Sequence, residues 1–250
     1  MDVELQTHLR EWAVQYEKSD FLKDDPSQFM HRYKTARDIE IAGFFAAALA
    51  FGRRTCILNK VGCVLDAAGE SPANWILSRG YDCFFPDSDA SFYRVFTYRQ
   101  LRHACETLRG ILQEHGTLGE QLKQLHQSGA TNHQAGRLAS VLAELFPAEC
   151  APLVPHGSDT ANKRLNLYLR WMVRGNSEVD MGLWTWYPAS ELIMPLDVHV
   201  VQMSKELGLL PPNATASLCN ALRLTEALKE IYPDDPVRGD YALFGYGVNS

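Results

Sequence analysis

Lys163-Arg-Leu-Asn-Leu-Tyr-Leu-Arg-Trp-Met-Val-Arg174, read together with Ile193-Met-Pro-Leu-Asp-Val-His-Val200, decides how this chain folds. At about 100° per residue, Lys163, Asn166, Arg170 and Arg174 share a narrow polar face, while Leu165, Tyr168, Leu169 and Met172 fall opposite, which predicts an amphipathic helix. Ser158 or Asp159 is the expected N-cap, so Lys163 belongs in or just inside the first turn. Two readings of the polar face stand level: solvated basic surface, or the lining of a cleft. The second stretch predicts a helix from Asp197 to about Leu207, stopped by Gly208. Asp197 then sits at the N-cap, where backbone N–H groups hold a carboxylate ionised and fixed in direction. Capping alone is a sufficient role for it. The sharper reading makes Lys163 a nucleophile and Asp197 its electrostatic partner. The connection over residues 175–190 carries Asp180, Trp184, Trp186 and Tyr187, and long ordered loops are often functional. Trp184 is a candidate substrate contact.

Working outward, residues 2–18 predict a helix with Leu5, Leu9, Trp12, Val14 and Tyr16 as its apolar stripe. Asp24-Asp25-Pro26-Ser27 suits the start of a short helix, since proline fits a first turn and acids fit its positive end. Asp38 is expected to open a helix over residues 39–50, ended by Gly52. At the next junction Arg53 and Arg54 are either solvated charge or phosphate contacts. Ser71-Pro72 starts a helix over 73–78, with Trp75 in the core. The aromatics Phe84, Phe85, Phe92, Tyr93, Phe96 and Tyr98 suit core packing better than a base-stacking surface. Helices follow over 101–115 and 118–126, separated by the stop Gly116 and the N-cap Thr117, and another over 132–146. Strand signals are few. The expected fold is all-α, as one compact unit over 1–250.

The chain has 250 residues, 46% of them hydrophobic, enough to bury a full core. No apolar run reaches the roughly 20 residues of a membrane span. Met1-Asp2-Val3-Glu4 lacks signal-peptide character, so a cytoplasmic protein is expected. Six cysteines, at 56, 63, 83, 105, 150 and 219, form no CxxC and fit reduced thiols. The histidines show no HExxH or zinc-finger spacing, and no metal is expected. A net charge of −6 argues mildly against a nucleic-acid binder. A local basic patch on an acidic protein is compatible with one.

Pro195-Leu-Asp-Val-His-Val200 resembles the catalytic-aspartate motif of the helix–hairpin–helix DNA glycosylases, the superfamily of endonuclease III and 8-oxoguanine DNA glycosylase. Lys163-Arg-Leu-Asn-Leu-Tyr-Leu resembles the nucleophilic lysine and apolar helix that precede it there. Asp240-Tyr-Ala-Leu-Phe244 resembles the late helix of the archaeal 8-oxoguanine enzymes, where an aspartate and an aromatic contact the oxidised base. Residues 39–61 resemble the superfamily's early helix pair, whose junction probes DNA. The resemblance covers about residues 38–246, with residues 2–37 packed on that core, and implies two helical lobes with a cleft between them. The chain also resembles a bacterial family of unknown function of this length. Two departures stand out. Val154-Pro-His-Gly-Ser-Asp159 replaces the usual hairpin and lacks its second glycine, and the C-terminal iron–sulfur cysteines of the clustered branch are absent.

The resemblance implies a monomeric enzyme that flips a damaged purine out of duplex DNA and attacks C1′ with Lys163, assisted by Asp197. Burial and the nearby Arg164 or Arg170 would ready a lysine whose ordinary pKa is about 10.4. Asp240, Phe244, His199 and Trp184 would contact the base, and Arg53, Arg54 and Arg170 the phosphates. No step calls for a metal or cofactor. The rivals are a catalytically inactive glycosylase-like module that binds DNA or a protein, and an enzyme of free nucleosides.

Overall fold

Six of the twelve described α-helices begin where the sequence supplies a capping side chain. In the computed structural model, which describes residues 2–131, 136–156 and 160–249, the helices are α1 (Val3–Tyr16), α2 (Ala36–Ala48), α3 (Arg54–Ala68), α4 (Pro72–Leu77), α5 (Tyr81–Phe84), α6 (Tyr98–His115), α7 (Leu118–Gln127), α8 (Arg137–Glu144), α9 (Lys163–Val173), α10 (Val198–Glu206), α11 (Leu218–Lys229) and α12 (Gly239–Asn249). Thr35, Ser71, Thr97, Thr117, Asp197 and Ser217 each accept a hydrogen bond from an N–H of the first turn they cap. Short 3-10 turns fill several connections, and Asp25 caps the one over Pro26–Arg32. The chain is all-α. No described helix is long and apolar enough to cross a membrane.

Three elements differ from expectation. Thr35, not Asp38, caps α2; the Asp38 carboxylate instead accepts from Ser71 Oγ at 2.7 Å and Ala73 N–H at 3.0 Å, tying α2 to the start of α4. The helix expected over 132–146 is described only as Arg137–Glu144, with residues 132–135 outside the described residues. Inside the aromatic segment lies a two-stranded antiparallel hairpin, β1 (Ser91–Tyr93) and β2 (Phe96–Thr97).

Contacts group the chain into two units. The first comprises Asp24–Asn132 and Ser140–His156. Its centre is α2, buried on every side from Asp38 to Ala48, apolar but for Asp38 and Glu40, whose carboxylates are hydrogen-bonded. Phe44 stacks on Phe146 at 5.0 Å, and Trp75, Phe84, Phe85 and Phe92 meet edge to face; Phe44, Phe146, Phe85 and Phe92 are buried core, whereas Trp75 and Phe84 are half-buried at its edge. Buried Glu40 accepts from the Leu118 and Gly119 N–H groups at 2.8 and 3.2 Å, a carboxylate on the positive end of α7.

The second unit comprises Met1–Lys23, His133–Ala139 and Gly157–Ser250. Here α1 packs against α12 through Trp12–Tyr246 and Tyr16–Phe244. A side chain at Gly245 would meet Tyr16, which explains the glycine at that crossing. α1 buries Leu9 and Ala13, with the buried Glu17 directly after its end, whereas Val14, expected in the stripe, is 53% exposed. α9 carries Tyr168, Trp171 and Met172 fully buried.

Candidate active site

The entry to α9 is set by short polar side chains. The expected caps Ser158 and Asp159, and Gly157 of the altered hairpin, lie outside the described residues. The observed N-cap is Asn162 in the left-handed conformation, φ 43°, which asparagine tolerates better than most residues. Its N–H donates to Thr160 Oγ1 at 2.9 Å, and Asn166 Nδ2 donates back to the Ala161 carbonyl at 2.8 Å. Lys163 is thereby fixed as the first residue of the helix. A cation there is opposed by the helix dipole, so it needs an anion close by.

Asp197 supplies that anion. Its Oδ1 accepts from the His199 and Val200 N–H groups, both at 2.9 Å, capping α10, and its Oδ2 lies 2.8 Å from Lys163 Nζ. The two side chains are 34% and 27% exposed, half-buried but open to solvent. Burial pushes the Asp197 carboxyl up, but Lys163, the Val200 N–H and His199 outweigh it and hold the group below the usual carboxylate value. His199 and Val198 are exposed beside the pair. Burial pulls the neighbouring Arg164 guanidinium down to about 10.

The polar face of α9 is neither solvated nor an open lining beyond Lys163. Arg170 and Arg174 are 2% and 3% exposed. Arg170, expected among the phosphate contacts, instead bonds Asp240 and donates to Tyr241 Oη at 3.1 Å, with Asp180 at 3.4 Å. Arg174 bonds Asp180 and meets Glu17 at 2.7 Å and Asp235 at 2.8 Å. Tyr241 Oη donates to Asp180 at 3.0 Å. Burial works to lower both guanidinium pKa values, and the carboxylates, Asp180 foremost, overcome it and raise them. A buried cation needs such partners, or its desolvation is uncompensated.

The arrangement brings together much of what was expected. Lys163 and Arg170 lie two turns apart on one face of α9, about 10 Å along its axis at ~1.5 Å per residue. One end of that face pairs with Asp197 and the other with Asp240. Phe244, one turn after Asp240 on α12, is half-buried and meets Phe21 and Tyr16 edge to face at 4.9 and 5.6 Å. Trp184 is 2% exposed, edge-on to Tyr168 and stacked on Trp186, so it builds the wall behind α9 and does not face solvent. Arg53 and Arg54 are exposed at the start of α3, in the other unit. Glu17 and Asp235 were missed as site supports. The only signal for them is indirect, two arginines at helical spacing on α9 among large apolar neighbours.

Among the described residues, no group of three or more His, Cys, Asp or Glu side chains is placed to hold a metal ion. Compared with known families, residues 25–249 match the model of one described as a protein of unknown function, DUF2400. No curated protein and no solved structure matches the chain.

Proposed function

The chain belongs to the DUF2400 family of unknown function, and from its own residues we propose that it is a base-excision DNA glycosylase with an associated AP-lyase step, acting on an oxidised purine such as 8-oxoguanine. One observation carries the proposal: the Lys163 amine and the Asp197 carboxylate, each at the start of its own helix, meet at 2.8 Å while partly open to solvent. The likeness of Pro195–Val200 to the aspartate motif of the helix–hairpin–helix glycosylases supports the same assignment.

The reaction needs the damaged base extruded from the duplex, since C1′ cannot be reached inside the stack. An ammonium is not a nucleophile. Lys163 sheds its proton to solvent, to which its half-buried amine is open, and Asp197 stays ionised beside it. The amine lone pair forms the Nζ–C1′ bond, the C1′–N bond breaks, and its electrons leave with the base, which takes up a proton. Opening of the sugar then gives a Schiff base, from which β-elimination cleaves the 3′ side. Asp197, fixed in direction by two N–H groups, stabilises positive charge as it develops on the sugar. Asp240 accepts from a purine N–H and Phe244 offers its ring. Arg170 acts as a positioning residue, holding the Asp240 carboxylate in direction. Arg53 and Arg54 contact phosphates.

The test is borohydride trapping on a fluorescent duplex carrying 8-oxoguanine opposite cytosine. Wild type forms a covalent adduct and Lys163→Ala does not. An adduct that persists in Lys163→Ala, or none in wild type, overturns the assignment. One observation favours a second reading, a non-catalytic DNA-binding module: Lys163 rests in an ion pair, on a chain of net charge −6. Salt-dependent DNA binding without an adduct on any lesion would select it.

A further inference from the structure

A separate surface on the first unit gathers cations and exposed apolar side chains around the β1–β2 hairpin. The chain carries 30 acidic residues, yet neither residues 41–65 nor residues 90–105 contain an Asp or Glu. These two acid-free stretches meet. The Arg94 guanidinium lies over the Phe51 ring at 5.0 Å, Phe51 and Phe96 stand edge to face at 6.0 Å, and Tyr93 Oη donates to the Phe51 carbonyl at 2.7 Å. Phe51 and Val95 are 43% and 56% exposed, among the few large apolar side chains left open. Arg53 and Arg54 project at the adjoining start of α3, and Lys60 lies further along it with Nζ 4.7 Å from the Phe92 ring.

The hairpin turn is Arg94-Val95, with φ 54° at Arg94. This is a left-handed position where glycine is the undemanding choice and arginine is not. Gly52 opposite leaves room for the Arg94 side chain: a Cβ at Gly52 would come within 2.6 Å of Arg94 Nη1. An arginine held where backbone preference disfavours it, over an exposed aromatic, is suited to a polyanion, and the nearest acids in the sequence, Asp87 and Asp89, are engaged by Arg99.

We propose that the β1–β2 hairpin is a DNA-contacting element, with Arg94 on a backbone phosphate and the exposed Phe51 and Val95 against the sugar–base surface beside it. Local positive charge on a chain of net charge −6 is the complementarity that selects the partner. The inference does not depend on Lys163 chemistry, because binding is read without turnover.

The experiment measures anisotropy of a short fluorescein-labelled DNA duplex titrated with the full chain at several salt concentrations. Arg94→Gly should weaken binding about five- to tenfold near 0.1 M salt and flatten the salt slope by about one unit. Its melting temperature should be unchanged or higher, since glycine relieves the turn. Arg94→Lys should keep most of the salt slope. Unchanged affinity in Arg94→Gly, or a loss of affinity matched by a loss of stability, would assign Arg94 to packing alone and overturn the proposal. So would wild type that fails to bind duplex, or that binds poly-glutamate as tightly. Because binding is read without turnover, wild type that binds in this way but forms no borohydride adduct counts against the catalytic assignment and not against this surface.

Discussion

Lys163 and Asp197 meet at 2.8 Å, each at the first turn of its own helix, with one Asp197 oxygen on the lysine and the other on two backbone N–H groups. Cap and charge can therefore be separated by mutation. Asn caps a helix as well as Asp does, so Asp197→Asn should keep α10 and stay within ~1 kcal/mol of wild type in denaturant unfolding. The negative charge is lost, and adduct formation should slow about 100-fold or more. An Asn variant as fast as wild type would reduce Asp197 to a cap.

The same pair makes a signed prediction for acid. The Asp197 carboxyl is held below its usual value, so its contribution is fully present above the unfolded pKa of about 3.9 and is lost as pH falls through the folded one. The unfolding free energies of wild type and Lys163→Met should differ most near neutrality and converge below about pH 4. Asp235 has the opposite sign. Burial raises its pKa, with Glu17 and Asp180 adding to the rise against Arg174, so its contribution is fully present below the unfolded value and is lost as pH rises through the folded one. Asp235→Asn should remove that opposing trend, which unfolding curves between pH 3 and 7 would reveal as a steeper gain in stability with pH.

Burial decides the worth of the arginine networks. Arg174→Met leaves Asp180, Asp235 and Glu17 without their shared cation in the interior, and should cost about 3–5 kcal/mol. Arg79 pairs with Asp82 at 2.7 Å but is 47% exposed, and Arg79→Met should leave the denaturation midpoint close to that of wild type. Chemical denaturation of the two variants side by side checks the contrast, and equal costs would show the buried network to be no stronger than a surface pair.

What could be read from the sequence follows from where the partners lie. The period of α9 and the cap of α10 are local properties, so Lys163 at a helix start and Asp197 at an N-cap were legible. The fate of the α9 polar face was not, because the carboxylates that bury Arg170 and Arg174 come from Glu17, Asp180, Asp235 and Asp240, spread over most of the chain. The hairpin escaped for a different reason. Strands of three and two residues are too short to show a period of two, and their aromatics read equally well as helix core. Trp184 looked like a ligand-facing aromatic because nothing local reveals that its backbone N–H donates to the Met172 carbonyl at 2.8 Å, which folds the connection back against α9.

That fold-back rests on Gly182. Its N–H and that of Met181 both point at the Trp171 carbonyl, its φ is +59°, and a Cβ there would lie 2.7 Å from Gly175 Cα and 3.0 Å from the Arg174 carbonyl. These contacts are backbone and cannot swing aside. Gly182→Ala should therefore destabilise the protein by more than ~1 kcal/mol. It should also disturb Asp180, two residues earlier, and through it the Arg174 and Arg170 pairs that hold α9. Gly175→Ala is the matched control, because a Cβ there meets nothing within 4 Å, and it should stay within about 0.5 kcal/mol of wild type. Denaturant midpoints test the stability claim, and adduct yield under native conditions tests whether the strain reaches Lys163. A Gly182→Ala protein as stable and as reactive as its control would show that the connection bends elsewhere and that α9 is held without it.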